Sequence, residues 1–506
     1  MIILLHKDNC VDAIFYDNKR INKYHELKAT EALFKIAKDF SDQILVWADS
    51  RLIGNIPKTE INSLMLHERC MISFGNLFSI PKSIGYIHNS PFIKVNNKVK
   101  YPTWQMSSNL GSIFGHQLLL FEDVANNSQG LDYLLSSIAK LGQPLGLCCY
   151  RLPLKTSINT SYSLDTKALF SFVREHYSLK WLILLLCSIL RFEKRFPVLS
   201  FSKALLFQRQ IKPRFKLTSL KSEILNLDKI NIDVIIPTIG RKTYLLDVLK
   251  DFAKQTILPK KIIIVEQNPE ENSTTDLDFI TTETWPFKIV HKFINQTGAC
   301  NARNIALKEV SSNWVFLADD DNRFKETLIE DCFKTLTTYN AKALTTNYPQ
   351  KGETTTSDEV IQWSTFGSGN SIIHVSCLTF AKFNEAYEHG YGEDADFGMQ
   401  LRNNGIDVLY DPNIKILHLK APIGGFRKPV KFKWDNDDLK PKPSPTVMLF
   451  HLKHRTLQQI KGYKLLLFLK YYRKQSIKNP IRYIRVMKKR WNASVKWANH
   501  LERNSN

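Results

Sequence analysis

The feature that most constrains this chain is an alternation of buried-type strands and helices that begins at Ile232. "IDVIIPTIGR" predicts a strand that ends in a Pro/Gly loop, and "TYLLDVLKDFAKQT" predicts an amphipathic helix after it. "KKIIIVEQNP", "FKIVHKFIN" and "NWVFLADDD" predict three more strands, and a helix opening at "TGACNARN" precedes the last of them. This order predicts a nucleotide-binding α/β half, whose ligand lies beyond the carboxyl ends of the strands.

Carboxylates accumulate at that edge of the predicted sheet. Asp319, Asp320 and Asp321 follow one strand directly, and Glu266 comes at the end of another. Two charges about 4 Å apart repel by about 4 kcal/mol at an effective dielectric near 20. A solvated turn capping the next helix explains three aspartates as well as a cation does. On a strand, Asp319 and Asp321 would share a face about 7 Å apart, which suits a hydrated Mg²⁺ or Mn²⁺ that also takes diphosphate oxygens.

An ordered series of motifs carries a family resemblance. The stretches are "DVIIPTIGR", "QTILPKKIIIVEQ", "TGACNARNIAL", "FLADDD", "YGEDADFGMQLRNNG" and "ILHLK". Their order and spacing over roughly 230–420 resemble a family 2 glycosyltransferase of the GT-A fold. The resemblance implies transfer of a sugar, with inversion, from a nucleotide-diphosphate sugar to a glycan or lipid-linked hydroxyl. Bacterial cell-surface polysaccharide synthesis is the setting that it implies.

The resemblance also implies roles on the donor side. Asp321 becomes the direct ligand of Mn²⁺ or Mg²⁺, with Asp319 nearer the sugar and His418 a further ligand, although a structural histidine is an equal alternative. The metal would neutralise the leaving diphosphate. The implied donor-binding residues are Pro237, Thr238, Arg241, Glu266, Arg303, Asp319 and Asp320.

Two of these donor-side positions leave alternatives open. Glu266 stands where the family usually has an aspartate that reads the nucleobase. A glutamate can accept from the N3–H of uracil, so a UDP-sugar is favoured while the base stays open. Arg303 is expected at the ribose or phosphate, and a charge on the helix surface is its alternative.

On the acceptor side, Asp394 in "GEDADF" matches the family's general base. An inverting transfer needs a carboxylate that takes the acceptor hydroxyl's proton. Glu393 is expected to assist it. Taken alone, Glu393, Asp394 and Asp396 would only complement a helix N-terminus, worth a few tenths of a kcal/mol each.

The predicted fold class is α/β. A GT-A nucleotide-diphospho-sugar transferase domain with a Rossmann-like mixed sheet is expected at 230–425. A smaller α/β accessory domain precedes it at 1–225, and a Pro-punctuated loop with basic C-terminal helices follows at 426–506. Residues 111–150 weakly resemble the region 367–410, which suggests a degenerate GT-A-like copy without the aspartate run or the Glu-Asp pair.

Charge and hydropathy limit where the protein can be located and which partners it can bind. The net charge of +22 indicates a polyanionic partner. Residues 461–506 carry thirteen Lys or Arg and one Glu among aromatic and leucine residues, a pattern of helices that lie on anionic membranes. A solvated tail packing on the catalytic domain is the alternative. The longest apolar run, "WLILLLCSIL", is about half of a membrane span and predicts a buried helix. The expected location is therefore cytoplasmic, peripheral on the membrane.

Two rival functions remain in view. A sugar-nucleotide type of nucleotidyltransferase shares the α/β site and the metal carboxylates, but it would need a glycine-rich basic loop to hold a triphosphate. A non-enzymatic nucleic-acid-binding protein would suit the basic and aromatic residues. Nucleic acid is the less favoured partner, because carboxylates at the strand ends repel phosphates.

Overall fold

The chain divides into two compact units. The computed structural model describes residues 1–75, 80–127, 130–154, 166–207, 215–220, 230–354, 358–422 and 430–504. Unit 1 comprises Met1–Lys221 and Arg455–Lys470, and unit 2 comprises Ser222–His454 and Tyr471–Asn506. The region 426–506 is therefore not a separate third segment, because its helices are shared between the units. Most of the basic link at 207–230 and part of the loop after 422 lie outside the described residues.

Unit 1 is built on a mixed sheet whose strand order is β3-β2-β1-β4-β7-β5-β8-β6. Its strands are β1 (Ile2–Lys7), β2 (Cys10–Tyr16), β3 (Lys19–Arg20), β4 (Ile44–Asp49), β5 (Cys70–Phe74), β6 (Tyr101–Pro102), β7 (Leu110–Phe114) and β8 (Cys148–Leu152). Its helices before the link are α1 (Ala29–Asp39), α2 (Lys58–Leu64), α3 (Gly115–Leu119), α4 (Leu131–Gly142), α5 (Thr166–His176), α6 (Leu179–Phe192) and α7 (Val198–Leu205). The predicted strand "SIGYIH" is instead a 3-10 helix, Lys82–Tyr86, because a short apolar run does not distinguish the two by periodicity.

Unit 2 is built on a second mixed sheet, with the order β11-β10-β9-β12-β16-β14-β17-β13. Its strands are β9 (Ile232–Thr238), β10 (Lys261–Gln267), β11 (Lys288–Ile294), β12 (Trp314–Ala318), β13 (Asn322–Phe324), β14 (Ala343–Asn347), β15 (Ile361–Gln362), β16 (Asn370–His374) and β17 (Leu409–His418). The helices from here on are α8 (Lys242–Ala253), α9 (Phe279–Thr282), α10 (Ala299–Lys308), α11 (Leu328–Thr338), α12 (Glu393–Asn403), α13 (Pro445–His454), α14 (Leu457–Tyr472) and α15 (Pro480–Asn504).

The predicted nucleotide-binding half is present in unit 2. Strands β9, β10, β11 and β12 all run parallel, so their carboxyl ends meet at one edge of the sheet. The apolar side chains of β9, β10 and β12 are buried on both faces, as parallel strands covered by helices require, whereas the edge strand β11 is only partly buried. The loop after β9 and the aspartate turn after β12 therefore come together, as the sequence predicted.

The two sheets share a strand order over their central part. The series β1-β4-β7-β5-β8 in unit 1 and the series β9-β12-β16-β14-β17 in unit 2 are both paired parallel, antiparallel, antiparallel and parallel. The two sheets differ on one side of this series. In unit 2 the strands beyond β9 in the sheet are β10 and β11, which are paired parallel. In unit 1 the strands beyond β1 in the sheet are β2 and β3, which are paired antiparallel. Unit 1 thus has the central strands of unit 2 without the outer parallel pair.

The C-terminal helices are packed elements. Leu465 and Leu466 of α14 pack against the core of unit 1, while α15 packs against α13 in unit 2. The face of α15 that carries Tyr483, Met487 and Trp491 is buried. This packing agrees with the alternative of a tail that packs on the catalytic domain, and membrane binding by 461–506 stays a prediction. In the ranges that the structure describes, no helix is both long enough and apolar enough to cross a bilayer.

Candidate active site

The three consecutive aspartates lie in a turn between β12 and β13. The sequence placed Asp319 and Asp321 on one face of a strand, and this is wrong because β12 ends at Ala318. The turn aims the three side chains at different partners. Repulsion between the carboxylates is thereby relieved by Arg303 at Asp319 and by Arg241, which lies near both Asp320 and Asp321.

Asp320 faces the first loop of the domain. Its Oδ2 accepts from the Thr238 hydroxyl at 2.7 Å, and its Oδ1 accepts from Nη1 of Arg241 at 2.6 Å. Burial raises the pKa of Asp320 to about 6 despite Arg241. Asp320 therefore fixes the loop after β9 to the aspartate turn and so orders one wall of the site.

Asp319 faces the helix α10. Its Oδ1 accepts from Nη2 of Arg303 at 2.9 Å, and its Oδ2 accepts from the Tyr348 hydroxyl at 3.2 Å. Arg303 is 7% exposed, so the alternative of a helix-surface charge is wrong. Gly369 lies against this carboxylate, since a Cβ there would stand 2.0 Å from Oδ2 of Asp319.

Asp321 faces His418 at the end of β17. Its Oδ2 accepts from the Ala421 N–H at 2.9 Å and lies 3.3 Å from Nη1 of Arg241. Its Oδ1 is buried, accepts no hydrogen bond from the described residues, and lies 3.5 Å from Nε2 of His418. Burial opposes ionisation, but His418, the Ala421 N–H and Arg241 outweigh it and lower the pKa of Asp321.

The acidic pair lies in the first turn of α12, as predicted. The helix begins after Gly392, whose φ of 123° favours glycine. Ser368 hydrogen-bonds to the Asp394 carboxylate, while Oδ1 of Asp394 is buried and accepts no hydrogen bond from described residues. Burial raises the pKa of Asp394. Burial and the adjacent Asp394 raise the pKa of Glu393 to about 7.

These side chains line one cavity of about 430 Å³. Every site residue predicted from the sequence lines it except Glu266, namely Pro237, Thr238, Arg241, Arg303, Asp319, Asp320, Asp321, Glu393, Asp394 and His418. Glu266 is buried within β10, and its Oε2 accepts from Thr275 at 2.6 Å and lies 2.8 Å from Nε2 of His291. A contact from Glu266 to a nucleobase remains a prediction.

Sequence reasoning missed two residues that contact the elements around the cavity. Tyr348 bonds to Asp319 and stacks on the His418 ring, with centroids 4.5 Å apart. Glu388 accepts from the N–H groups of Cys300 and Asn301 and so caps α10. No motif marked Tyr348 or Glu388. Among the described residues, no three His, Cys, Asp or Glu side chains form a preformed metal cage.

The match to a family model decides what kind of domain carries this site. The model of glycosyl transferase family 2 matches residues 233–391, which include the loop after β9, the aspartate turn and the residues up to α12. Residues 233–391 belong to glycosyl transferase family 2. The α/β sheet of unit 2 is accordingly a GT-A fold, and the predicted fold class is confirmed for this domain.

Curated proteins also resemble this family 2 domain. Glycosyltransferase GlyG of Streptococcus pneumoniae serotype 4 is 25% identical over 117 residues, which cover 23% of this chain and 38% of GlyG. The uncharacterized glycosyltransferase YwdF of Bacillus subtilis strain 168 is 32% identical over 107 residues, which cover 21% of this chain and 38% of YwdF. The chain thus spans little more than a third of the length of both curated relatives.

Among solved structures, the chain is similar to TarS of S. aureus. TarS 1–349 in complex with UDP-GlcNAc is 16% identical, with 54% of this chain and 84% of that chain covered and a TM-score of 0.35. TarS 1–349 in complex with UDP is 18% identical, with 49% and 74% covered and a TM-score of 0.32.

Proposed function

We propose that unit 2 transfers a sugar, with inversion, from a nucleotide-diphosphate sugar to a hydroxyl of a glycan or glycolipid. A UDP-sugar is the favoured donor, and bacterial cell-surface polysaccharide is the favoured product class. The observation that carries this proposal is the single cavity into which the aspartate turn and the Glu393–Asp394 pair both project. Two sets of carboxylates facing one space are what a donor diphosphate and an acceptor hydroxyl require.

A divalent cation, Mn²⁺ or Mg²⁺, fits the donor side. The buried Oδ1 of Asp321 lacks a hydrogen-bond donor among the described residues, and Nε2 of His418 faces the same space. Mg²⁺ is usually held by one or two carboxylates together with substrate phosphates and water, not by a cage of protein ligands. Asp321 and His418 would hold the ion, with Asp319 nearby. When bound, it would supply charge that neutralises the leaving diphosphate.

The chain's own residues complete the donor side. Arg303 and Arg241 are both paired with aspartates at the cavity wall. Because each guanidinium is held in place by Asp319 or Asp320, the positive charge is oriented before a phosphate arrives. Arg241 is committed to Asp320 and Asp321. Among the described residues, it is the one basic residue of the loop after β9 that lines the cavity, whereas a triphosphate would need a glycine-rich basic loop, which disfavours the nucleotidyltransferase alternative.

Asp394 is suited to be the general base. Ser368 holds the carboxylate, and Oδ1 keeps its lone pairs for the proton of an acceptor hydroxyl. Its raised pKa makes it a stronger base than an ordinary aspartate. Attack of the acceptor oxygen at the anomeric carbon forms the new glycosidic bond as the bond to the diphosphate breaks, and Asp394 takes the hydroxyl proton.

Donor binding tests the proposal directly. Full-length protein is melted with Mn²⁺ and, in separate samples, UDP-sugars, GDP-sugars, or a nucleoside triphosphate with a sugar 1-phosphate. We expect a UDP-sugar to raise Tm only with Mn²⁺ present, and Asp321→Ala to abolish that rise. Asp438→Ala, which changes an exposed carboxylate of the same unit, is the matched control. A rise only with triphosphate and sugar phosphate would establish the nucleotidyltransferase instead. Turnover that survives both Asp321→Ala and EDTA would remove the metal from the mechanism.

A further inference from the structure

Large apolar side chains protrude from unit 1 around α6 and α7. Phe196 and Leu199 are both 80% exposed, and Leu206 is 84% exposed. Leu179, Ile183, Val198 and Leu205 of the same stretch are also exposed. We call residues 179–206 the α6–α7 surface. Single exposed apolar residues are ordinary on a protein, but this many within 28 residues of chain mark an interaction site.

The helix α6 is apolar on two sides. Leu182, Leu185 and Ile189 are buried in the core of unit 1. Leu179, Ile183 and Cys187 follow one another at intervals of four residues and are all exposed. The prediction of a buried helix for "WLILLLCSIL" is therefore correct for one side only. The exposed stripe is not explained by packing within the unit.

Basic residues accompany the apolar ones. Lys180, Arg191, Lys194, Arg195 and Lys203 lie within the α6–α7 surface, and Glu193 is its one acidic residue. The Glu193 carboxylate is already paired with Arg195 and accepts from Ser83. The surface therefore presents leucine and phenylalanine side chains beside a net positive charge.

We propose that the α6–α7 surface binds an anionic lipid bilayer from one side. Inserting Phe196, Leu199 and Leu206 among acyl chains removes apolar area from water. Lysine and arginine beside them meet the negative headgroups. A protein partner is disfavoured because the centres of protein interfaces are depleted in lysine. The basic α15 is less suited to this role, because its apolar face is buried in unit 2.

Vesicle flotation of the full-length protein tests the proposal. We expect binding to phosphatidylcholine vesicles that contain phosphatidylglycerol, weaker binding to phosphatidylcholine alone, and weaker binding as salt rises. The double substitution Phe196→Ser and Leu199→Ser should weaken partitioning by roughly a hundredfold, about tenfold for each side chain withdrawn. Ile53→Ser is the matched control, because Ile53 is 58% exposed in unit 1 outside this surface. Thermal melts verify that both variants fold.

A spectroscopic readout locates the contact. Cys10 and Cys187 are exposed, and the other six cysteines are buried. In a Cys10→Ser background, a polarity-sensitive dye on Cys187 should shift to the blue when phosphatidylglycerol vesicles are added. The proposal is overturned if the full-length protein ignores these vesicles or if the double variant binds as well as the control. It is also overturned if the double substitution Arg482→Glu and Lys489→Glu in α15 releases the protein from these vesicles while Phe196→Ser with Leu199→Ser does not. Conversion of a dimer to a monomer by the double variant, without vesicle binding, would assign the surface to self-association.

Discussion

Each carboxylate in the cavity has different neighbours, and those neighbours suggest its task. Asp320 is held by Thr238 and Arg241, whereas Asp321 and Asp394 each keep a buried oxygen that no described residue satisfies. Unsatisfied buried oxygens are costly unless a ligand completes them. We therefore expect Asp320 to act as a support and Asp321 and Asp394 to meet ligands.

The first prediction at this scale concerns the base. Asp394→Asn keeps the size and polarity of the side chain but removes the proton acceptor, so turnover should fall by roughly 10²–10⁴-fold. Donor affinity should barely change, because the nucleotide side of the cavity is untouched. Glu393→Gln should cost less. Initial rates and donor binding measure both variants. If Asp394→Asn keeps near-normal turnover while Glu393→Gln is inactive, Glu393 is the base instead of Asp394. If both variants stay active, neither residue is the base.

The pH dependence follows from the same pair. Glu393 has a pKa of about 7 and Asp394 a raised pKa, and the base must be ionised to accept a proton. We expect kcat to rise with pH as the Asp394 carboxylate ionises, above the pH range that is ordinary for an aspartate. Stability should change in the opposite sense. Because the folded pKa of Glu393 lies above its ordinary 4.5, the folded state binds more protons, and stability is lost as pH rises from 4.5 through 7.

Rates and thermal melts across this pH range check both trends. Glu393→Gln should flatten the fall in Tm between pH 4.5 and 7, because the substituted amide does not titrate. A kcat that stays level down to pH 5 would contradict the assignment of this pair to proton transfer.

At the scale of elements, α13 supports the helix that carries the base. Asp396 of α12 is fully buried, and its Oδ1 accepts from Nε2 of His454 at 2.6 Å and from Nζ of Lys453 at 2.9 Å. Gln400 donates to its Oδ2 at 2.7 Å. Burial alone would raise the pKa of Asp396, but the bond from His454 and the charge of Lys453 outweigh it and lower the pKa.

We expect Asp396→Ala to lower the free energy of unfolding by about 2–4 kcal/mol. Removing one partner of a buried pair costs about 3–5 kcal/mol, and the partial exposure of Lys453 reduces that figure. Turnover should also fall, since Asp394 lies two residues earlier on the same helix. Urea unfolding measures the stability. Lys453→Ala leaves the bond from His454 in place, so it should lower the free energy of unfolding by less. An Asp396→Ala variant as stable as the native protein would show that α13 does not support α12.

At the scale of the whole molecule, two sheets of matching central topology occur in one chain. Ala48 pairs with Leu110 in unit 1 as Ala318 pairs with Asn370 in unit 2. By this register, Asp49 corresponds to Asp319 and Arg51 corresponds to Asp321. The Asp49 carboxylate accepts from Nη2 of Arg51 at 2.6 Å and from Nε of Arg51 at 2.7 Å. An arginine thus stands where unit 2 has the aspartate proposed to hold the cation.

The helix α4 of unit 1 carries an aspartate at the position that Asp394 has in α12. Asp132 is the second residue of α4, after Gly130 with φ of 132°, as Asp394 follows Gly392 in α12. The Ser108 N–H donates to Asp132 at 2.6 Å, and Ser108 and Ser368 each lie two residues before the matching strand. Unit 1 therefore keeps the serine–aspartate pair and lacks the outer parallel strands of the donor side.

We expect transfer at one site only. Asp132→Asn should leave turnover within about twofold of the native value, whereas Asp394→Asn should lower it by roughly 10²–10⁴-fold. Product analysis with single donors and with donor mixtures measures this, and thermal melts verify the fold of the Asp132 variant. Loss of one of two incorporated sugars in Asp132→Asn would instead identify a second active unit.

The sequence by itself determined the strand and helix order of unit 2 and most of its site. Apolar periodicity and loop residues are local properties, and parallel strands bring their carboxyl ends together. These properties placed Thr238 and the three aspartates at one crevice, and the family resemblance added Arg303 and Asp394 to it.

Only the tertiary structure decided which partner each side chain meets. The turn after Ala318 separates the aspartates, Tyr348 reaches Asp319 from a distant strand end, and Glu266 contacts His291. The sequence also did not predict the exposed apolar stripe of α6 or the strand order that the two sheets share. Burial, pairing and topology depend on contacts between residues far apart in the chain, which local patterns do not encode.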